Sequence, residues 1–502
     1  MQVLKLSIIT IIAAFIRIVF LDKIPNGFFP DEASNAYDAY SILRTGKDQY
    51  GHFLPLVFKS ANDYREGLYI YLMVPFIKIL GLNEFAARMT SAMIGTLTVL
   101  IIYYLVKEVF NRRVALSSAL LLAIYPWHIQ FSRIAFRAIL FPCLFCLSLL
   151  FFFKSLKQPK YLPLSGLLFS ISIFTYQSAR VFVPLFLIGL IFIFYQFLWQ
   201  HKFYTLLASI LFLLFFIPQL IFYISPQGMT RANDVILSSN WLTIIKVYFS
   251  HFSPEFLFFK GDLNPRHLPQ HRGELYYFEM ITIPLGLFYL IKEKRKENII
   301  FLIWLILYPL PAALTSEIHS LRAIIGAPLL AIISGYGITK IVDLIKFYPR
   351  FIVNFIVLLI ISISLVLYSD RYFIDYPRWL THAWLPTMGS VITYGDKTSS
   401  DCIVIDTNVY GEHIYIFVPF YGKLDPNYYQ KLGVDIAVDR LDMGRWKVEN
   451  LNEISSFNSQ CLYITTTQQL ETIIGKGYKP QPLEHFKDIN GEEIYQVVKI
   501  KS

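Results

Sequence analysis

Apolar runs long enough to cross a bilayer, roughly 20 residues with tolerance for shorter helices, recur from Leu6 to Leu367 and then stop. They cover Leu6–Phe20, Met89–Val106, Val114–Trp127, Ile139–Phe153, Leu162–Ile173, Val181–Phe197, Phe203–Ile224, Phe278–Ile291, Ile299–Leu314, Ala323–Ile338 and Phe351–Leu367. A backbone inside hydrocarbon must satisfy its own hydrogen bonds, so runs of this kind fold as helices. The fold class expected is an α-helical polytopic membrane protein of about eleven transmembrane helices with a small soluble domain after them. Composition agrees, with 55% hydrophobic residues and a mean hydropathy of +0.50. The expected division is 1–368 for the membrane domain and 369–502 for an α/β domain with strands at Ile403–Asp406, Leu462–Thr465 and Ile494–Lys499.

Sidedness follows from lysine and arginine, which accumulate in short cytoplasmic loops. The basic loops are Lys107–Arg113, Lys154–Lys160, Gln200–Lys202, Lys292–Lys296 and Lys340–Arg350. Two apolar runs separate each neighbouring pair, so one threading puts every basic loop inside. Topology thus accounts for most of the net charge of +10, and no basic patch for nucleic acid forms. The run Leu68–Gly81 is short and holds Pro75 and Lys78; it reads as an amphipathic helix in the outer interface. The first outer loop then runs from Asp22 to about Arg88, long enough to imply function. The chain is expected to sit in the plasma membrane as a multi-pass protein, with a cytoplasmic N-terminus and an extracytoplasmic C-terminal domain.

Leu6–Phe20 lacks a small-residue cleavage site and reads as a retained helix. Cys143 and Cys146 lie in an apolar run and read as small core residues. Cys402 and Cys461 open two similar strand-like runs, and an outer address permits a bridge between them; the sequence leaves bridged and free both open.

On this threading the notable polar residues gather on the outer face. The first loop holds Asp31, Glu32, Asp38, Asp63, Arg65 and Glu66. Later outer segments hold His128, Arg133, Arg137, Gln177, Arg180, Arg231, His251, Asp262, His267, His271, Glu317, His319 and Arg322. Outer loops are wet and therefore polar, which accounts for much of the long stretch Ser225–Tyr277. It accounts less well for Arg133, Arg137, Arg180 and Arg322, which stand at helix entrances beside apolar residues where topology disfavours arginine. Arginine grips phosphate in a planar bidentate fork. Together with the adjacent carboxylates Asp31 and Glu32, these arginines suit displacement at a sugar anomeric carbon with a lipid phosphate as leaving group. A carboxylate takes the acceptor hydroxyl's proton, and a cation stabilises the departing phosphate. Adjacent carboxylates at a helix start cannot point the same way, so one faces the acceptor and the other takes a metal ion or a basic partner.

The order "PDEASNAYDAYSILRTGKDQYGHFLPLVF", "NDYREGLYIYL", "LNEFAARMTSAMIGTLTVLIIYYLVKEVF", followed by "YPWHIQFSRIAFRAIL", "TYQSARVFVPL", "SPEFLFFKGDLNPRH" and "HSLRAIIGAPLLA", resembles the protein O-mannosyltransferase and lipid A aminoarabinose transferase superfamily. These are C-type membrane glycosyltransferases that use polyprenyl-phosphate sugars. The resemblance covers roughly Pro25 to Gly337. It implies a polyprenyl-phosphate sugar donor, transfer with inversion at the outer face, and an acceptor that is a protein, lipid or glycan. Asp31 matches the loop aspartate that serves as base, with Glu32 its neighbour and a candidate ligand for a divalent metal ion. Arg65, Arg133, Arg137, Arg180 and Arg322 are the donor-phosphate candidates, and Asp63, His128, His267, Glu317 and His319 are further site candidates. Glu66 and Gly67 stand where the family has prolines, and some relatives carry an acidic residue at Arg137. Two other functions fit an outer polar face: a ligase for lipid-linked oligosaccharide, against which the early acidic pair argues, and a non-enzymatic transporter or flippase, which would show internal repeats and interrupted helices at mid-depth.

Overall fold

The structure is a computed structural model that describes residues 2–60, 63–226, 228, 240–267, 269, 272–379, 381–407, 412–433 and 440–501. Along the chain the elements are α1 (Gln2–Ile18), α2 (Pro30–Thr45), a hairpin of β1 (Val57–Ser60) and β2 (Asp63–Glu66), α3 (Leu68–Leu80), α4 (Glu84–Val109), α5 (Arg112–Ile124), α6 (Pro126–Ser132), α7 (Leu140–Lys157), α8 (Leu162–Ile173), α9 (Gln177–Gln200) and α10 (Lys202–Tyr223). Further helices cover Trp241–Ser250, Glu279–Lys292, Lys296–Leu307, Gly326–Leu344 and Arg350–Asp370.

Each apolar run of the sequence lies on a helix, but not every helix has the length of a span. Among the described residues, seven are long and apolar enough to cross, with Lys296–Ala313 taken as one, or eight if the bent pair α5 and α6 counts as one. The pair breaks by 58° at Tyr125, whose extended backbone is what a following proline imposes. The remaining runs form α1, α8 and Glu279–Lys292, of 17, 12 and 14 residues, so of the expected eleven or so spans seven or eight pass by length and composition among the described residues. Leu68–Gly81 forms α3, a 13-residue apolar helix too short to cross.

By packing the chain forms two compact units, one of residues 1–19 and 91–374, the other of 20–90 and 375–502. In the first, the helices Glu279–Lys292 and Gly326–Leu344 meet at small residues. A Cβ on Gly337 would lie 1.9 Å from the Thr282 carbonyl oxygen, and one on Gly286 2.0 Å from that of Ile333. Glycine at this crossing lets the backbones touch, the usual device where water cannot drive helix association.

The second unit holds a mixed six-stranded sheet. To β3 (Ile403–Asp406) it adds β4 (Arg440–Met443), β5 (Trp446–Glu449), β6 (Leu462–Thr465), β7 (Lys479–Lys487) and β8 (Glu493–Lys501), in the order β4-β5-β3-β6-β8-β7. β3 runs parallel to β5 and β6, and Ile403 pairs with Leu462. That register sets the preceding residues, Cys402 and Cys461, side by side, and they form a disulfide. Val404, Tyr463, Ile473, Val498 and Ile500 pack into the core beside it.

The segment Glu412–Leu432 packs on α2. Phe420 stacks on Phe28 with ring centroids 4.9 Å apart, Tyr429 meets Tyr37 edge-on, and the Gln430 amide donates to Ser41 Oγ at 3.0 Å and to the Asp48 carbonyl at 2.9 Å. The aromatic run "YIFVPFY" therefore fills a core against the first-loop helix.

Candidate functional site

Pro30 occupies the first position of α2, where its missing N–H costs nothing, and Asp31 and Glu32 follow in the first turn, where carboxylates complement the helix dipole. The helical rotation between neighbours then separates them. Glu32 is fully buried and reaches back to accept the Phe29 N–H at 3.1 Å. It also meets Arg88, from the first turns of α4, through Nε to Oε1 at 2.9 Å and Nη2 to Oε2 at 3.1 Å. Arg88 donates as well to the carbonyls of Leu21, Pro25 and Gly27, with the Phe28 and Trp384 rings beside it. One guanidinium thus ties the entry loop to the start of α2. Asp31 is exposed and has no partner among the described residues.

Arg65 performs the same task on the inward face of α2. Its two terminal nitrogens donate to Asn35 Oδ1 at 2.7 Å, Ser34 Oγ at 2.8 Å and Asp38 Oδ2 at 2.9 Å. The Gln49 backbone N–H adds a bond to Asp38 Oδ1 at 3.0 Å. Asp38 is fully buried, and burial pushes its carboxyl up to about 7 although Arg65 pulls the other way. Gly67 follows β2 where a Cβ would lie 2.5 Å from the Phe58 ring and 2.8 Å from the Leu56 carbonyl, so this turn admits no side chain. Asp63 is in β2, and its side chain lies outside the described residues, as do Arg231 and His271.

In the other unit, the structure brings His267 and His319 together with Asp262. One ligand atom from each lies within 4.8 Å of the others. Asp262 Oδ2 is 2.6 Å from His267 Nδ1 and accepts the Ser320 N–H at 2.7 Å, while Oδ1 accepts the Asn264 N–H at 2.8 Å. Burial works to raise the Asp262 carboxyl, but the hydrogen bond and charge of His267 and the Asn264 N–H outweigh it and hold it well below the usual carboxylate range. Glu274 stands behind this turn, accepting from Ser320 Oγ and from the Asp262 N–H; burial raises its carboxyl well above the usual range. Trp127 fixes the same turn through its indole N–H to the Ser320 carbonyl at 3.1 Å. Two imidazoles and a carboxylate are a donor set suited to zinc and similar divalent ions, and three protein ligands leave positions open for another.

The remaining candidates stand apart from this cluster or beside it. Arg322 follows His319 in the same turn; its N–H donates to His319 Nδ1 at 3.3 Å and its guanidinium to Glu317 at 2.9 Å. Arg180 lies over the Tyr223 ring at 3.8 Å and Arg137 over Tyr176 at 5.8 Å, both half-buried. Arg133 is fully buried, donates to the Ile16 carbonyl at 2.6 Å and lies against Tyr372 and Phe373. His128 is buried against Arg17 at 2.8 Å. Sequence reasoning passes over the roles of Arg88 and Asp262. An arginine at the very entrance of an apolar run signals the first, and an aspartate five residues before a histidine signals the second.

Residues 68–222 match a family model described as dolichyl-phosphate-mannose-protein mannosyltransferase. No curated protein matches the chain. Among solved structures, ArnT from Cupriavidus metallidurans bound to undecaprenyl phosphate aligns with a TM-score of 0.59 at 12% identity, covering 98% of this chain and 97% of that one. The oligosaccharyltransferase of Archaeoglobus fulgidus in complex with Zn and sulfate aligns with a TM-score of 0.53 at 13% identity, covering 98% and 72%. The same enzyme, AglB, with an inhibitory peptide and a dolichol-phosphate gives 0.53 at 12%, covering 98% and 74%. The resemblance read from the sequence is thereby borne out: the chain has the fold of the ArnT and AglB structures and, over residues 68–222, matches the model of the dolichyl-phosphate-mannose-protein mannosyltransferase family.

Proposed function

We propose that this protein transfers a sugar from a polyprenyl-phosphate donor to an acceptor hydroxyl at the outer face of the membrane, with inversion and with Asp31 as general base. The observation that carries the reading is the contrast at the start of α2. Glu32 is buried and held by Arg88, whereas Asp31, one residue earlier on the same rigid turn, is exposed and unpartnered among the described residues. A base needs a fixed position and an open carboxylate, and this arrangement supplies both. The family match and the fold support the donor class, since the ArnT and AglB structures carry undecaprenyl phosphate and dolichol-phosphate.

Asp262, His267 and His319 are the residues that would hold a divalent cation, and a cation there would supply positive charge for a leaving phosphate. Arg322, in the same turn as His319, offers the phosphate a bidentate donor. Arg137 and Arg180, half-buried against aromatic rings, are the other arginines of this reading. Glu32, Arg65 and Arg133 serve it by fixing structure.

The test is sugar transfer by purified, folded Asp31→Asn protein supplied with polyprenyl-phosphate sugar. Loss of a proton acceptor is expected to lower the rate by about 10²- to 10⁴-fold. Transfer at the wild-type rate would remove Asp31 from the reaction.

A further inference from the structure

Beyond the polar turns, an apolar cleft of about 620 Å³ runs between the helices Glu279–Lys292, Gly326–Leu344 and Arg350–Asp370. Ile281, Ile341, Ile345, Ile352, Ile356 and Ile360 line it. Of the two hydroxyl-bearing lining residues, Thr282 spends its hydroxyl on Ser334 at 2.6 Å, and Tyr348 stands at one end. Between the helices the lining therefore offers a guest hydrocarbon contact, with the Tyr348 hydroxyl at that end as its free polar group among the described residues, which suits an alkyl chain rather than a sugar or a peptide. The third helix turns most of its surface away from the protein, with only 17% of its most apolar window buried.

The two ends of the cleft differ. At one end the lining stops at Phe278, near Arg272, whose guanidinium lies against the rings of Tyr276 and Tyr368 at 5.3 and 5.1 Å. At the other, the short link between two of the lining helices reads Lys346, Phe347, Tyr348, Pro349 and Arg350. Phe347 is 96% exposed and Tyr348, which lines the cleft, 64% exposed. Exposed aromatics interleaved with lysine and arginine mark the level of lipid head groups. Lys346 and Tyr348 have no partner among the described residues, and Arg350 lies 4.0 Å from Asp343, which Arg113 already holds at 2.6 Å. The sequence threading makes this the cytoplasmic end, away from the outer polar loops.

We infer that the cleft binds an anionic glycerophospholipid of the cytoplasmic leaflet, its acyl chain between the helices and its phosphate at Lys346, Tyr348 and Arg350. The charge at one rim and the hydrocarbon lining behind it match the two halves of that molecule. In this inference the site is distinct from the donor site.

Delipidated full-length protein is titrated with phosphatidylglycerol and, separately, phosphatidylcholine, and bound lipid is counted by native mass spectrometry. One phosphatidylglycerol is expected to remain bound at concentrations where phosphatidylcholine does not. The Lys346→Ala/Arg350→Ala pair should lower that affinity roughly tenfold or more, and Ile356→Trp, which fills the cleft, should abolish it. If Ile356→Trp does not fold, the surface pair decides alone. Equal binding of the two lipids overturns the inference, as does affinity unchanged in the surface pair. Displacement of phosphatidylglycerol by polyprenyl phosphate also overturns it, because the cleft would then belong to the donor.

Discussion

At the start of α2 the chain buries carboxylates against arginine, whereas in the turns around Asp262 it gathers a carboxylate with two histidines. Glu32 meets Arg88 and Asp38 meets Arg65, each pair almost fully buried. Arginine stays charged throughout the working pH range, so neither pair yields its place to a passing ion. Asp262 has His267 instead, and an imidazole that sheds its proton becomes a metal ligand. The first region spends its charge on architecture and leaves Asp31 open. The second holds a donor set that would suit a divalent cation.

The sharpest way to break this comparison is to exchange the roles of the adjacent carboxylates. Asp31→Asn should lower transfer by about 10²- to 10⁴-fold while leaving the thermal midpoint within about a degree or two of wild type, since an exposed, unpartnered group contributes little to stability. Arg88→Met should do the reverse to stability, costing roughly 3–5 kcal/mol because Glu32 is left buried and uncompensated. Adding Glu32→Met to Arg88→Met should recover much of the loss, since two apolar side chains replace a buried pair at little cost. Thermal unfolding of the three proteins in detergent checks both statements. A double variant as unstable as the single one would show that the carbonyls of Leu21, Pro25 and Gly27, rather than Glu32, are what Arg88 serves.

Apolar patterning made the membrane helices legible, because length and hydropathy are local properties of the chain. It did not show that the helices α1, α8 and Glu279–Lys292 would be only 17, 12 and 14 residues long. The sheet was read where strands are buried: β3 and β6 lie where the β-branched and aromatic runs put them, and both are buried at every position. β7 went unread because it is an exposed edge strand with Pro480 and Pro482 in it, a composition that reads as loop. The Cys402–Cys461 bridge needed the register of β3 on β6. Site residues were legible as types and unreadable as partners. Glu32 and Arg88 are 56 residues apart, and nothing local in "NEFAARMTS" names a carboxylate in another helix.

The histidine cluster gives a smaller and more specific test. His267→Ala should lower zinc affinity of the purified protein by at least 10-fold, read by calorimetry, and leave the fold intact, since Asp262 retains its bonds from Asn264 and Ser320. Zinc binding equal to wild type would show that the ion sits elsewhere. Arg322→Lys should leave zinc binding unchanged while weakening the donor, because the bidentate fork is lost and the charge is kept.

The least of these effects sharpens the first region from within. Asp38 differs from Asp31 in being fully buried, and burial pushes its carboxyl from an ordinary 3.8 up to about 7, with nearby Asp48 adding to the rise and Arg65 and the Gln49 hydrogen bonds opposing it. Between those values the folded protein retains a proton that the unfolded chain has released, so stability must fall with rising pH across that window. The contribution is complete below the unfolded value and lost as pH passes through about 7. Asparagine keeps the shape and the acceptor oxygen without titrating. Asp38→Asn should therefore flatten the dependence of the thermal midpoint on pH between about 4.5 and 7.5 relative to wild type, with the two proteins most alike at the acid end. Parallel profiles would mean that Arg65 keeps Asp38 ionised throughout, in which case the two buried pairs of α2 are alike in kind and the pH sensitivity of the fold lies with other groups.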